Sequence, residues 1–178
     1  MRSKVLLSLA AGLLLAVPAF AGSASEIDAR SNEAMERFYR EVSSGKQLAK
    51  DAKGILIFPS VLKGGIGLGG EYGEGALRVK GKTVDYYSTA AASIGLQLGV
   101  QKKSIIILFM QDDALKKFRA SSGWKAGVDA SIAVVEMGAG GAMDTSKLKQ
   151  PILGFIFDQA GLMYNLTLEG AKFTKLHK

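Results

Sequence analysis

The hydrophobic pattern of the chain changes from a helical period to strand-like alternation near residue 54. Over residues 25–42 the apolar side chains fall on one helical face, and the opposite face mixes acidic and basic residues. This pattern predicts an amphipathic N-terminal helix, with Ser25 as its cap and Asp28 as the partner of that cap. The helix can pack on a sheet or lie in a membrane interface, although interfacial helices usually carry a more uniformly basic face. A second, short helix is predicted over residues 46–53.

Most of the remaining chain has the pattern of β-strands. Residues 105–110 form a continuous apolar run, which indicates a strand buried on both faces. Gly81 separates two short segments and so predicts a hairpin. A short helix is predicted to begin at Asp112, and the tail from Lys172 is basic. The predicted strands are residues 55–58, which Pro59 ends, and residues 76–80, 83–88, 94–101, 105–110, 124–134, 152–157 and 162–168.

Together these elements predict an α+β fold. Strands that outnumber the helices and follow one another along the chain favour antiparallel neighbours. Glycines recur within the predicted strands, which favours strong curvature, as in a partly closed barrel. We therefore expect a strongly curved, mostly antiparallel, barrel-like glycine-rich sheet with an N-terminal amphipathic helix and two short helices.

Residues 54–75 are especially rich in glycine. Alternate residues of a strand point to opposite faces, so glycines at every second position leave one face bare. A bare face lets another backbone or a ligand approach closely, or lets the sheet bend sharply. Residues 65–70 also fit the GxGxxG pattern of nucleotide sites, but the following EYGEGAL is a poor helix start, so a curved strand is favoured. The glycines with predicted structural roles are Gly65, Gly67, Gly70, Gly73 and Gly75.

The first 21 residues have the features of a secretory signal peptide. Arg2 and Lys4 precede an apolar segment over residues 5–17, and a small-x-small cleavage site ends at Ala21. The apolar segment is too short to span a bilayer. We therefore expect an exported protein in the periplasm or at the outer membrane. Since the chain has no cysteine, neither a lipoprotein anchor nor a disulfide is expected.

The part of the chain after the predicted cleavage site suits one domain, residues 22–178. Within it, residues 22–53 are predicted to be helical and residues 54–178 to be rich in sheet. The net charge of the whole chain is +7, and removal of Arg2 and Lys4 lowers it to +5. A moderate positive excess favours anionic surfaces such as lipid headgroups or nucleic acid. Arginine is sparse after residue 40 and does not cluster with the aromatic residues, so nucleic acid is not expected as a partner.

The residues that most catalytic and metal sites require are scarce. His177, the single histidine, is next to last, where chain ends are usually mobile, and there is no cysteine. Serine–histidine and cysteine–histidine catalysis and histidine or cysteine metal sites are therefore not expected. Nothing in the sequence identifies two carboxylates that face one cleft, as glycoside hydrolysis requires. We therefore expect no catalytic residues, no metal site and no cofactor.

Five blocks in a fixed order resemble the SYLF domain family. They are residues 52–59 (AKGILIFP), the glycine run that ends at 73–75 (GEG), and residues 93–101 (SIGLQLGVQ), 127–131 (GVDAS) and 168–171 (LEGA). The resemblance implies lipid binding: eukaryotic members bind phosphoinositides and some bundle actin, and bacterial relatives are exported envelope proteins. The chain departs from the family pattern at residues 154–157, where GFIF replaces an expected polar segment.

The sequence and the resemblance together predict a non-enzymatic protein that binds lipid or an anionic membrane surface in the bacterial envelope. Phospholipid or another anionic lipid is the expected ligand. The alternative is a structural or interaction module that docks an envelope protein on its sheet. Predicted apolar contacts are Phe58, Val61, Leu62, Ile66, Leu68 and Trp124, and the predicted basic rim is Lys63, Lys102, Lys103 and Lys125. Lysines at these places are equally compatible with plain solvated turns and helix faces.

Overall fold

The computed structural model describes residues 21–95, 100–135, 143–157 and 167–178, with the side chains of 66, 67 and 93–95 left aside. The helices are α1 (Ala24–Glu41), α2 (Gly45–Asp51) and α3 (Asp112–Ala120), and a 3₁₀ turn covers Lys147–Lys149. The strands are β1 (Gly54–Val79), β2 (Lys82–Gly95), β3 (Gln101–Phe109), β4 (Gly123–Lys125), β5 (Ala133–Val134), β6 (Ile152–Phe157) and β7 (Lys172–Leu176). These elements confirm the predicted α+β class.

The seven strands form one strongly curled, half-barrel sheet in the order β4-β7-β2-β1-β3-β6-β5. All neighbours are antiparallel except β5 and β6. The hairpin predicted around Gly81 is confirmed, and this glycine has a positive φ of 77°. The predicted strongly curved and mostly antiparallel sheet is therefore confirmed as well.

The sheet is organised around β1, which is far longer than the average strand. Its first half, as far as Lys63, pairs with β3, and its second half, from Gly67, pairs with β2. The expectation that Pro59 ends the first strand is wrong. A shift of register between Phe58 and Val61 takes the proline out of the ladder with β3, so its missing N–H breaks no pairing.

Two hydrophobic clusters lie on the two faces of the sheet. The alternating side chains of β3 divide between them, with Ile105 and Ile107 in one cluster and Ile106 and Leu108 in the other. The first cluster includes side chains of α3 and several aromatic rings, and the second packs beneath α1 and α2. The apolar run of β3 is buried on both faces, as predicted.

Helix α1 docks on the sheet. Its Phe38 is fully buried against Phe155, with ring centroids 4.9 Å apart. The Asp28 carboxylate accepts hydrogen bonds from Thr83 Oγ1 at 2.8 Å and from the Tyr86 hydroxyl at 2.9 Å. Of the two predicted positions for this helix, the structure therefore has the packed one.

The cap of α1 differs from the predicted one. Ser23 occupies the cap position: its Oγ accepts from the Glu26 N–H at 3.3 Å, and the Glu26 carboxylate accepts from the Ser23 N–H at 2.8 Å. Ser25 lies inside the helix, and Asp28 faces β2 instead of the cap. The prediction failed because both serines precede an acidic residue three positions on, so the pattern alone fits either start.

Other differences lie in the second half of the chain. Residues 124–134 do not form one strand, because a turn with positive φ at Gly127 divides β4 from β5. The basic tail contains β7, which pairs with both β2 and β4 and was not predicted as a strand. The predicted segment 162–168 falls largely outside the described residues.

Candidate functional site

Three exposed apolar side chains lie at one end of the sheet, which we call the sheet tip, while Val128, 72% exposed, lies in the turn after β4. The tip comprises the middle of β1 and the start of β3, defined here by residues 62–70 and 100–102. Leu68 and Val100 are 75% and 76% exposed, and Leu62 is 37% exposed. Leu62 lies opposite Lys102 in the ladder, which places both on the tip. Position 66 belongs to the same segment, but its side chain lies outside the described part.

Two of the predicted rim lysines belong to the sheet tip. Lys102 is exposed opposite Leu62, and Lys63 lies opposite Gln101. Lys103 is different, because its Nζ donates to Glu71 Oε2 at 2.7 Å and both side chains are largely buried. The tip therefore carries two lysines that have no carboxylate partner among the described residues, and the adjacent Lys103 is held in an ion pair.

The remaining predicted contact residues lie in the hydrophobic core or away from the tip. Phe58 and Val61 are fully buried. Trp124 is buried between Phe118 and Phe173, with centroid distances of 5.5 Å and 5.7 Å. In the folded protein these three side chains contact other core residues. Lys125 is exposed on β4, which three strands separate from β3 in the sheet order.

The bare glycine face of β1 is occupied by the strand itself at two positions. A Cβ at Gly73 would lie 2.7 Å from the Ser60 carbonyl oxygen, and one at Gly75 would overlap the Ile57 carbonyl oxygen. The two halves of β1 therefore cross in close contact here. At these two glycines, the group that approaches the bare face is therefore the backbone of the same strand. No space is left for a ligand between the two halves.

The other predicted glycines occupy less crowded or sharply bent positions. Gly65 has a φ of 147°, and a Cβ there would overlap the Leu68 carbonyl oxygen, so this glycine permits the bend at the tip. A Cβ at Gly70 would make an ordinary contact of 3.5 Å with the Ala91 carbonyl oxygen. Position 67 lies outside the part for which side chains are described.

A basic groove, which sequence reasoning missed, lies between α1 and the sheet near the tip. It is a cavity of about 530 Å³ whose floor includes Pro59, Ser60 and Phe157. Among the described residues, five cations and one carboxylate line it: Arg30, Arg37, Arg40, Lys102, Lys103 and Glu33. The arginines are spaced seven and three residues apart, which places them along one side of a helix. That spacing was a usable signal, but the sequence does not show that α1 brings this side to the start of β3.

Two of the groove cations are partly neutralised. Arg37 Nε donates to Glu41 Oε1 at 2.6 Å, and its guanidinium lies 5.5 Å from the centre of the Phe157 ring. Lys103 is paired with Glu71 as described above. The groove therefore has a positive field with fixed cations inside and exposed cations at its rim.

A carboxylate on β1 joins the two ends of the domain. Glu74 Oε2 accepts from the Gly22 N–H at 3.0 Å and from Lys178 Nζ at 2.9 Å, while Lys178 also donates to the Gly22 carbonyl at 2.7 Å. The Tyr72 hydroxyl donates to the other oxygen of Glu74. Burial raises the pKa of Tyr72, and the neighbouring Glu74 charge raises it further. Gly22 is the residue at which the mature chain is predicted to begin.

In residues 21–95, 100–135, 143–157 and 167–178, no three histidine, cysteine, aspartate or glutamate side chains lie close enough to hold a metal ion. None of the helices in those ranges is both long and apolar enough to cross a membrane.

Comparison with known proteins identifies the family. The family model named Ysc84, described as Las17-binding protein actin regulator, matches residues 90–178, which is half of the chain. The match runs from the end of β2 through β7, so α1 and β1 precede it. Among curated proteins none matches the chain. The chain therefore belongs to the Ysc84 family, the SYLF family that its sequence resembles.

Proposed function

We propose that this protein is a non-enzymatic lipid-binding protein that docks on anionic membrane surfaces with its sheet tip. The observation that carries the proposal is the highly exposed pair Leu68 and Val100 at the same end of the sheet as Lys63 and Lys102. Exposed apolar patches with a polar rim mark interaction sites. Membership of the family supports the proposal, since the SYLF resemblance implies lipid binding.

A membrane interface suits both parts of the tip. Apolar surface that leaves water gains about 25 cal/mol per Å². Each lysine close to an anionic surface adds about 1 kcal/mol. Lysine suits this role because its compact charge on a flexible stem needs no fixed orientation of the headgroup. Because only a few side chains of the tip take part, we expect weak and reversible binding. Its electrostatic part should be screened by salt.

The proposal places the protein in the cell envelope, as an exported protein of the periplasm or the outer membrane. The signal-peptide features of residues 1–21 support export. Cleavage after Ala21 would place the new positive charge of the Gly22 nitrogen beside the Glu74 carboxylate, which accepts from that nitrogen at 3.0 Å. Intact mass and N-terminal sequencing of the exported protein should give a chain that starts at Gly22. A chain that keeps Met1 would contradict export by this route.

Vesicle flotation of the mature protein tests the membrane proposal. We expect binding to vesicles that contain phosphatidylglycerol, little binding to phosphatidylcholine alone, and release by salt. The double variant Lys63→Gln/Lys102→Gln should bind about 30-fold more weakly, from about 1 kcal/mol per lysine. Lys103 is left intact in this test because of its ion pair with Glu71.

The matched control is Lys116→Gln/Lys117→Gln, which removes the same charge from the exposed side of α3. Equal losses in the two double variants would show that total charge matters and that the tip does not. Absence of flotation with every acidic lipid, together with stable co-purification of one protein, would favour the alternative of a protein-docking module.

A further inference from the structure

We infer that Glu74 is a binding site for the α-ammonium group that cleavage after Ala21 creates at Gly22. The inference rests on the proposed export, because the ligand is the chain's own new N-terminus. Glu74 lies on β1, 52 residues beyond Gly22 in the chain. An ion pair between the two therefore ties the segment that precedes α1 to the central strand of the sheet.

The first argument is the burial of the Glu74 carboxylate. Its side chain is only 9% exposed. Oε2 accepts from the Gly22 N–H at 3.0 Å and from Lys178 Nζ at 2.9 Å, and Oε1 accepts from the Tyr72 hydroxyl at 3.1 Å. Salt and water screen such a shielded carboxylate less than an exposed one. A positive charge on the Gly22 nitrogen therefore interacts strongly with Glu74.

The second argument is the change of charge that cleavage brings to this nitrogen. While Ala21 is attached, Gly22 offers one neutral amide N–H, and Lys178 is the one cation that contacts Glu74 among the described residues. After cleavage the same nitrogen is an ammonium, which has three N–H donors and a full charge. Cleavage therefore converts an existing hydrogen bond into an ion pair at a position where the partner is already in place.

The third argument is how closely the surroundings of Gly22 fix its nitrogen. A Cβ at Gly22 would lie 3.3 Å from Ile27 Cγ1 and 3.8 Å from the carboxylate oxygens of Glu26 and Glu74. Lys178 Nζ holds the Gly22 carbonyl oxygen at 2.7 Å. One residue spans up to about 3.6 Å, so a chain that begins one residue earlier or later carries its amine away from Glu74.

The site makes the stability of the domain depend on processing. With the ammonium bound, Glu74 joins the residue before α1 to β1 and to Lys178, which follows β7. Before cleavage the same carboxylate has one cation fewer. The mature chain is therefore held more firmly at the start of α1 than its precursor.

The test compares chains with defined starts, each verified by intact mass. One begins at Gly22, one at Ser23, and one at Pro18, in which Gly22 keeps its amide as in the precursor. We expect the Gly22 chain to melt about 3 °C or more above the other two, as one partly buried ion pair predicts for a domain of this size. Equal melting temperatures of the Gly22 and Pro18 chains overturn the inference.

Side-chain variants show whether the gap between the Gly22 and Pro18 chains arises at Glu74. Glu74→Gln should abolish the gap, whereas Glu36→Gln, which removes the same charge from an exposed position of α1, should leave it unchanged. Lys178→Gln should lower the melting temperature more in the Pro18 chain, because only the Gly22 chain keeps a second cation at Glu74. A gap that persists in Glu74→Gln overturns the inference.

The reactivity of the amine gives a second measurement that needs no side-chain variant. An ammonium beside a carboxylate loses its proton less readily, so the Gly22 amine should react slowly with an acylating reagent at neutral pH. A chain that begins at the exposed Ala21 should be acylated at its N-terminus about fivefold faster or more, as read by peptide mapping. Equal rates in the two chains overturn the inference.

These outcomes are distinct from those that test the proposed function. N-terminal sequencing of the exported protein reports where cleavage falls, and flotation reports membrane binding. A natural start at Gly22 without the stability gap leaves export in place and overturns the Glu74 site. A natural start at any other residue contradicts the export route and removes the ligand of the site, whatever the gap in the recombinant chains.

Discussion

The middle of β1 and the crossing of its two ends, which we call the base, use the same residue types for opposite purposes. At the base, Gly75 lies against the Ile57 carbonyl, and Phe58 is fully buried. At the tip, Gly65 permits a sharp bend, and Leu68 is left three-quarters exposed. Glycine and apolar residues therefore build a closed crossing where the two ends of β1 meet and an open apolar surface at its middle. The difference is that the chain covers its own base, and no described segment covers the tip.

The largest effect is expected from filling the crossing at the base. Gly75→Ala places a methyl group where the Ile57 carbonyl oxygen lies, and backbone on both sides cannot move aside cheaply. We expect the free energy of unfolding to fall by about 3 kcal/mol or more, measured by urea denaturation. Gly70→Ala is the matched control in the same strand, since its methyl would make an ordinary contact of 3.5 Å, and it should change stability by less than about 1 kcal/mol. Equal losses would contradict the crossing.

The next largest effect is expected from breaking the ion pair of Lys103 and Glu71, which lies beside the tip. Lys103→Gln leaves the largely buried Glu71 carboxylate without its cation, and we expect a loss of about 2 kcal/mol of stability. The double variant Glu71→Gln/Lys103→Gln should recover most of that loss, because no unpaired charge remains. A double-mutant cycle by chemical denaturation measures the coupling. Independent, additive losses would show that the pair has no structural role.

A smaller effect on stability but a clear effect on binding is expected at the tip. Leu68→Asp exchanges an exposed apolar side chain for a charge that an anionic surface repels. We expect vesicle affinity to fall by about tenfold or more, while the free energy of unfolding changes by about 0.5 kcal/mol or less. Val84→Asp is the control, since Val84 is exposed near the opposite end of β2. A similar loss of affinity in both variants would argue against a specific tip.

The smallest effect is expected at the cap of α1. Ser23→Ala removes the side-chain acceptor of the Glu26 N–H and should cost about 1 kcal/mol in thermal or chemical denaturation near neutral pH. Hydrogen bonds from Ser23 lower the pKa of Glu26, so this carboxylate stabilises the fold above its ordinary pKa. That contribution disappears as the pH falls through the lowered value. The gap between wild type and Ser23→Ala should therefore shrink in acid, and a constant gap would contradict the reciprocal cap.

Much of the fold could be predicted because hydrophobic periodicity reflects which faces are buried. The uninterrupted apolar run of β3 indicated burial on both faces, and the structure confirms it. Burial of Phe58 and Trp124 could not be predicted. Alternation shows which face of the strand a side chain is on, but it does not show whether another element covers that face. β7 was missed because its sequence, KFTKL, has two lysines among five residues and depends on β2 and β4 for its pairing.

Some residues of the sheet tip could be predicted, whereas the basic groove could not. Leu62, Leu68, Lys63 and Lys102 are close in sequence or lie beside a turn, and the structure brings them to one end of the sheet. The basic groove needed knowledge of how α1 crosses the sheet. Its arginines lie more than sixty residues before Lys102 in the chain, and only tertiary packing brings them together.

The most direct test of membrane docking through the tip is the depth of single labels in a bilayer. The chain has no cysteine, so Leu68→Cys and Val84→Cys each give one site for an environment-sensitive fluorophore. About 16 residues separate these positions in the chain, and ten residues of β2, roughly 33 Å, separate Val84 from the partner of Leu68. With phosphatidylglycerol vesicles, the label at 68 should shift to the blue and be quenched by lipid-bound quenchers, while the label at 84 stays in water. Bound protein with an unquenched label at 68, or with both labels quenched alike, would contradict docking through the tip.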